Sequence, residues 1–243
     1  MTVHAHSYFE LYVNGQKAGE DVLTPAVSDP KTRTFTVTYD VAHLLTPGVN
    51  CLGLWMSEGW SDRIAVRAQL DAVAGGVPFT FGTGPAWKSR PSGYSHIGGW
   101  SWGNFGGERI EAAAHLPDWS LPGIDTNSWS TVVAATAPAG PPANHYTPLN
   151  RIGEVIPAKE ITTLAQGRYV IDFGTNLTGW LRLKFPQLAA GQLIRLHFAD
   201  NVFPDGIQAS PIGNISVSTG SCLSFPRTGG GNNLYQTYNQ TSE

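Results

Sequence analysis

The chain has 243 residues, of which 41% are hydrophobic, 11% aromatic and only 14% charged. Its formal net charge is −3, and the basic residues are scattered rather than gathered into a stripe, which argues against a nucleic-acid partner. No apolar run reaches the roughly 18 residues that a membrane-spanning helix needs, so no membrane partner is expected.

The first third of the chain alternates short strand-like segments with turn signals. Residues 3–13 read as a strand and are followed by Asn14-Gly15, a strong hairpin signal, because both central residues of a type I′ turn need positive φ. Residues 33–39, 49–56 and 64–72 are predicted strands too, the second of them buried. Strands that recur about every 8–12 residues are typical of a sandwich.

The middle of the chain is less regular. Residues 75–106 are rich in Gly, Trp, Ser and Pro and are predicted to be irregular, and residues 134–148 are predicted to be a linker or a loop draped over the fold. We place a boundary near 148–160, which divides the chain into an amino-terminal domain at 1–150 and a second domain at 151–243.

The second domain opens with a stretch that predicts antiparallel pairing. Residues 168–184 read as two short strands around a polar, glycine-bearing turn, and residues 180–184 and 193–200 alternate with period two. Asp172 is predicted to brace its own turn, with a contact to another domain as the alternative. The fold class predicted is therefore all-β, with two antiparallel, jelly-roll-like β-sandwich domains.

An ordered set of motifs resembles the α-L-rhamnosidase family of bacteria and fungi. The most specific is Asp172-Phe173-Gly174-Thr175-Asn176 followed by Gly179-Trp180, which is similar to the D-F-G-x-N…G-W signature of that family. Further similar pieces follow in the expected order at residues 8–15, 21–25, 38–41, 105–108, 125–129 and 197–200. The resemblance covers nearly the whole chain.

The resemblance implies only part of an enzyme. Rhamnosidases of this family carry an (α/α)₆ barrel that supplies an acidic general acid and base, and these 243 residues are too few and too poor in helix to form it. The resemblance therefore implies a non-catalytic accessory region, with residues 151–243 as an incomplete concanavalin-like sandwich. Its expected partners are the catalytic barrel of the same enzyme, in one chain or a split one, and a rhamnose-containing glycan.

A sugar site is predicted in the loop Trp100-Ser-Trp102-Gly-Asn104-Phe105-Gly-Gly-Glu108. Sugars present apolar C–H faces and polar edges, so their sites pair aromatic platforms such as Trp100 and Trp102 with amide and acidic groups. By resemblance, Asn104 and then Glu108 are the candidate rhamnose-binding residues.

A calcium ion is the one cofactor that the resemblance suggests, with Asn104 as its candidate ligand, since amide and carboxylate oxygens suit Ca²⁺. The acidic residue that usually precedes this Asn in the family is Gly103 here. The alternative is structural: Trp100 and Trp102 fill a core, and Asn104 is a turn residue.

No catalytic pair is nominated, because inversion needs two opposed carboxyl groups roughly 6.5–9.5 Å apart and the acids are mostly single. The alternatives left open are a stand-alone lectin-like module, a small complete hydrolase and a structural sandwich without sugar affinity. Cys51 and Cys222 are predicted to be free thiols, and an extracellular or periplasmic location is slightly favoured.

Overall fold

The computed structural model describes residues 1–58, 63–97, 104–111, 114–164, 167–175, 182, 184, 193–198, 213–218 and 222–228. These residues form β-structure with a 3₁₀ turn at Ala42–Leu44, and within them no helix is long and apolar enough to cross a membrane. The all-β class with antiparallel sheets is confirmed.

The described residues contain the following strands: β1 (Thr2–Ala5), β2 (Tyr8–Val13), β3 (Gln16–Lys17), β4 (Thr34–Thr38), β5 (Leu52–Ser57), β6 (Val66–Ala74), β7 (Val77–Gly82), β8 (Lys88–Ser89), β9 (Tyr94–Ile97), β10 (Asn104–Glu111), β11 (Ser130–Thr131), β12 (Pro142–Asn144), β13 (Glu160–Thr163), β14 (Tyr169–Asp172), β15 (Leu193–Phe198), β16 (Gly213–Ser218) and β17 (Cys222–Thr228).

The strands belong to two compact units. Unit 1 comprises residues 1–90 and 116–155, and unit 2 comprises residues 91–115 and 156–243. The chain therefore leaves unit 1 after residue 90 and comes back to it at residue 116. We call residues 116–155 the returning segment. The domain boundary predicted from the sequence at 150/151 instead treats residues 1–150 as one continuous domain.

Unit 1 is a sandwich of two sheets. The larger sheet has the order β12–β4–β1–β6–β7, and the smaller has the order β3–β2–β5. Alternate residues of β2 point inward, so that Phe9, Leu11 and Val13 are at most 2% exposed. They form one core with residues of the larger sheet such as Val3 and Val37, which pair across β1 and β4.

Two-residue turns close two hairpins of unit 1. Asn14 and Gly15 have φ of 52° and 84° and join β2 to β3, as the sequence predicts. Gly75 and Gly76, with φ of 58° and 81°, join β6 to β7 in the same way. The prediction of irregular structure over 75–106 is therefore wrong, since β7, β8, β9 and the start of β10 lie there.

The returning segment completes unit 1 at both sheets. Its strand β12 adds to the edge of the larger sheet by parallel pairing with β4. Residues 134–148 are therefore a draped segment rather than a free linker. Near the start of the returning segment, residues 118–121 lie over the smaller sheet, where Gly15 N–H donates to Ser120 O at 3.0 Å. We call residues 118–121 the cover segment.

The cover segment requires a glycine beneath it. A Cβ atom built on Gly53 of β5 would lie 2.6 Å from Trp119 Cζ3 and 3.0 Å from Ser120 Cβ. The Trp119 ring therefore packs directly on the backbone of β5. It also meets Tyr12 and Trp55 edge-on, with ring centroids 5.2 and 5.7 Å apart.

Unit 2 is antiparallel throughout its described strands. One sheet has the order β15–β16–β17–β10–β9, and a separate pair joins β13 to β14. Asp172, at the end of β14, accepts a hydrogen bond on Oδ1 from Gly174 N–H at 2.6 Å, which confirms that it braces its own turn. The strand predicted at 180–184 lies largely outside the described residues, while β15 confirms a strand at 193–198.

Two further predictions concern exposure. The strand predicted at 49–56 forms as β5 but is only half-buried, because its outer face carries Trp55 and the edge of the cover segment. Cys51 is free, as predicted, and partial burial raises the pKa of its thiol. Cys222 lies on β17, where only the backbone is described.

We expect Gly53→Ala to destabilise unit 1 by about 1–3 kcal/mol, because the new methyl group must displace the Trp119 ring. Thermal and urea unfolding followed by tryptophan fluorescence would measure the change. The matched control is Gly84→Ala, since a Cβ there meets nothing within 4 Å. The double variant Gly53→Ala/Trp119→Leu should cost less than the sum of the two single changes. Additive costs would contradict the proposed contact.

Candidate functional site

The structure places two of the four predicted sugar-binding residues on one strand. Asn104 begins β10 opposite Thr228, and Glu108 lies opposite Phe225 of β17 and His96 of β9. The register of β10 shifts between Asn104 and Gly106, which marks a bulge at the start of the strand. Both residues thus belong to the sheet of unit 2. Trp100 and Trp102 lie outside the described residues.

The sugar and calcium predictions for this strand stay predictions, because only its backbone is described. Elsewhere, where side chains are described, no group of three or more His, Cys, Asp or Glu residues comes close enough to hold a metal ion. Bulged strand starts are frequent next to binding sites, since the extra residue redirects neighbouring side chains.

A buried set of hydrogen-bonded side chains in unit 1 escaped the sequence analysis. We call it the polar cluster, and it consists of Glu10, Tyr12, Lys17, Asp21 and Tyr39. Lys17 Nζ donates to Glu10 Oε1 at 2.5 Å and to the backbone oxygen of Asp21 at 2.6 Å. Tyr12 Oη donates to Glu10 Oε2 at 2.9 Å, and Tyr39 Oη donates to Asp21 Oδ2 at 2.8 Å.

The carboxylates of the polar cluster are hydrogen-bonded within the cluster and are not accessible to a substrate. Glu10 is 6% exposed and Asp21 is 4% exposed. Both oxygens of Glu10 accept hydrogen bonds, one of them from the Lys17 ammonium, so burial of the carboxylate is compensated. A buried carboxylate with both oxygens occupied cannot reach a glycosidic oxygen. The cluster is therefore part of the framework of unit 1.

The two tyrosines of the polar cluster are held in their neutral form. Burial raises the pKa of the Tyr12 hydroxyl, and the nearby charge of Glu10 raises it further. Burial likewise raises the pKa of Tyr39, with Asp21 adding to the effect. A phenolate at either position would lose its solvation and face a carboxylate at hydrogen-bond distance.

The aromatic cover of the smaller sheet is the second feature that the sequence analysis missed. Trp55 and Trp119 are both half-buried and meet at an interplanar angle of 61°. The alternation of Tyr8, Glu10 and Tyr12 along β2 shows that these residues share one face. Two tyrosines flank Glu10 on this face. Large aromatic residues on a face that would otherwise meet water could have indicated that another segment covers it.

Comparison with known families gives two matches along the chain. Residues 1–154 match the α-L-rhamnosidase N-terminal domain. Residues 162–217 match the bacterial α-L-rhamnosidase concanavalin-like domain.

Curated relatives are much longer than this chain. An α-L-rhamnosidase of Streptomyces avermitilis is 30% identical over 216 residues, which are 82% of this chain and 20% of the relative. An α-L-rhamnosidase of Formosa agariphila is 27% identical over 222 residues, or 84% of this chain and 23% of the relative. The chain thus spans about a fifth to a quarter of the relatives that it matches.

Solved structures share the fold. The α-L-rhamnosidase from Dictyoglumus thermophilum superimposes with a TM-score of 0.77 at 23% identity, over 95% of this chain and 26% of that one. The Streptomyces avermitilis α-L-rhamnosidase, complexed with L-rhamnose, gives a TM-score of 0.73 at 25% identity, over 97% of this chain and 23% of that one.

We expect the stability of unit 1 to fall as pH rises above about 10, the ordinary pKa of tyrosine. Above that pH the unfolded chain releases the phenolic protons of Tyr12 and Tyr39, whereas the folded chain retains them. The unfolded state then binds fewer protons, so the free energy of unfolding decreases with pH, by up to about 1.4 kcal/mol per pH unit for one such group.

Urea unfolding between pH 8.5 and 11 would measure this slope, and Tyr39→Phe should make it shallower. The control is Tyr169→Phe, since the side chain of Tyr169 is 62% exposed, and it should leave the slope as in the parent chain. An unchanged slope in Tyr39→Phe would contradict the assignment.

Proposed function

The chain belongs to the α-L-rhamnosidase family, and from that premise we propose that it is the non-catalytic accessory region of such an enzyme. The complete enzyme would hydrolyse terminal α-L-rhamnosyl linkages with inversion. The two sandwiches would support the catalytic barrel and hold a rhamnose-containing glycan near it.

The observation that carries this proposal is the combination of family match and length. The matched segments at 1–154 and 162–217 account for most of the chain, yet the curated relatives are four to five times longer than the part it covers. The unmatched remainder of each relative is long enough for a helical barrel. The elements of the described residues are β-strands and the short 3₁₀ turn Ala42–Leu44.

The described acids support a non-catalytic role for unit 1. Inversion needs one carboxyl group that protonates the leaving oxygen and another that activates water, and both must reach the substrate. Glu10 and Asp21 are buried and hydrogen-bonded. Glu20, in contrast, is an exposed residue that pairs with Arg151 at 3.2 Å.

The glycan-binding part of the proposal rests on the residue types at positions 100–108. Trp100, Trp102, Asn104 and Glu108 fall within nine consecutive residues and combine aromatic, amide and carboxylate groups. This is the set that recognises the apolar face and the hydroxyl groups of a sugar. Calcium would bridge Asn104 to sugar hydroxyls, because Ca²⁺ takes amide, carboxylate and hydroxyl oxygens together.

We expect no release of p-nitrophenol when this chain is incubated with p-nitrophenyl α-L-rhamnoside. A full-length relative serves as the positive control. Turnover by the 243-residue chain that is lost in Glu108→Gln or in Glu111→Gln would establish a small complete hydrolase and contradict the proposal.

We expect L-rhamnose to bind to the chain in isothermal titration, and the affinity to fall when EDTA replaces Ca²⁺. Asn104→Ala should weaken binding roughly tenfold or more, since it removes a ligand of the ion and of the sugar, and Trp100→Ala should weaken it by lost stacking. The matched control is Asn127→Ala, an exposed turn residue of unit 1. The absence of any binding to L-rhamnose would leave a purely supporting role.

A further inference from the structure

Four residues of unit 1 form a cluster of one cationic and three aromatic side chains. We call Arg33, Phe35, His145 and Tyr146 the Arg33 cluster. The Arg33 guanidinium carbon lies 5.3 Å from the Phe35 ring centroid and 5.2 Å from that of Tyr146. Phe35 in turn meets the rings of His145 and Tyr146 edge-on at 4.9 and 5.6 Å. The guanidinium is thus held over aromatic rings at the surface.

The backbone beneath Arg33 is fixed from several sides. Arg33 N–H donates to Asp29 O at 2.9 Å, and Ser28 Oγ donates to Arg33 O at 3.1 Å. A Cβ atom built on Gly140 would lie 2.5 Å from Arg33 N, so the returning segment packs directly on this backbone. The backbone that carries the Arg33 side chain is therefore fixed before any ligand arrives.

The edge of the guanidinium carries donors that no described residue accepts. The nearest acid in sequence is Asp29, whose two carboxylate oxygens accept hydrogen bonds from Lys31 N–H at 3.0 Å and from Thr32 Oγ1 at 2.8 Å. Among the described side chains, the recorded contacts of the guanidinium are the two rings. Contacts with ring faces use the positive charge of the guanidinium rather than its N–H groups, so the donors of this exposed side chain remain available to a ligand.

The surroundings combine an aromatic platform with a ready hydrogen-bond partner. Tyr146 is 64% exposed, whereas Phe35 is 5% exposed and supports the cluster from below. His145 Nε2 accepts a hydrogen bond from Ala26 N–H at 3.3 Å, which fixes the ring and leaves Nδ1 as the protonated nitrogen of the neutral form.

We propose that the Arg33 cluster binds the carboxylate of an acidic sugar residue, a uronate within a glycan. The planar guanidinium matches a carboxylate in bidentate geometry, and the exposed Tyr146 ring offers a platform for the C–H face of the same sugar. This site goes beyond the proposed rhamnose-binding function, because it lies in unit 1 and recognises a charged residue rather than a neutral one.

The test is a titration of the ¹⁵N-labelled chain with methyl β-D-glucuronide, followed by two-dimensional NMR. Methyl β-D-glucoside, which has a hydroxymethyl group in place of the carboxylate, and acetate, which lacks the ring, are the comparison probes. We expect the glucuronide to bind at least roughly tenfold more tightly than either, with amide shifts at Arg33, His145 and Tyr146. Higher ionic strength should weaken it.

Three variants distinguish the effect of the Arg33 guanidinium on binding from the effect of positive charge alone. Arg33→Ala should lower the affinity roughly tenfold or more, and Arg33→Lys should recover only part of it, because an ammonium cannot form the bidentate pair. Lys31 is an exposed residue two positions before Arg33. Lys31→Ala removes a positive charge of the same size and should have little effect on glucuronide binding.

Three outcomes would overturn the proposal. They are equal affinity for the glucuronide and the glucoside, equal affinity for the glucuronide and acetate, and unchanged glucuronide binding in Arg33→Ala. Each outcome can occur whether or not L-rhamnose binds to the chain, so failure here is distinguishable from failure of the proposed function.

Discussion

Unit 1 depends on covering both faces of its three-stranded sheet. The inner face packs on the larger sheet through Phe9, Leu11 and Val13. The outer face carries Tyr12, Glu10 and Trp55, and the residues that cover it come from the returning segment rather than from the neighbouring strands. The large aromatic side chains on this outer face leave water only if another segment lies over them, and Trp119 of the returning segment does so.

The same returning segment explains why the other features of unit 1 lie where they do. It supplies β12 to the edge of the larger sheet, and its Asn150 O accepts from Val22 N–H at 2.9 Å beside the polar cluster. It also brings His145 and Tyr146 to Arg33. A chain that leaves a unit and comes back must be held at several points, since each ordered residue costs conformational entropy.

Local sequence patterns predicted the hairpins and most strands, because these depend on neighbouring residues. Asn14-Gly15 indicated the β2–β3 turn, and alternation indicated β4 and β6. Gly75-Gly76 carried the same information, yet the richness of residues 75–106 in glycine suggested a loop. The missed hairpin shows that two glycines flanked by alternating apolar residues outweigh regional composition.

The remaining features depend on residues far apart in sequence, which no local pattern reveals. The fit of Trp119 on Gly53 requires knowledge of which segment lies over β5. Glu10 is buried and paired with Lys17, although alternation along β2 assigns Glu10 to a solvated face. The predicted sugar residues were found by resemblance, and the structure adds that Asn104 and Glu108 belong to the sheet of unit 2.

The two proposed ligand surfaces would differ in their chemistry because one ligand is neutral and the other is charged. Rhamnose is a neutral deoxysugar, so an aromatic platform with amide and hydroxyl partners suffices to recognise it. A stacked guanidinium contributes little to such a ligand, because its advantage over a neutral donor lies in pairing with an anion. Only 14% of the residues are charged, and an arginine that contacts two aromatic rings while its donors stay open suits the proposed uronate better than a neutral sugar.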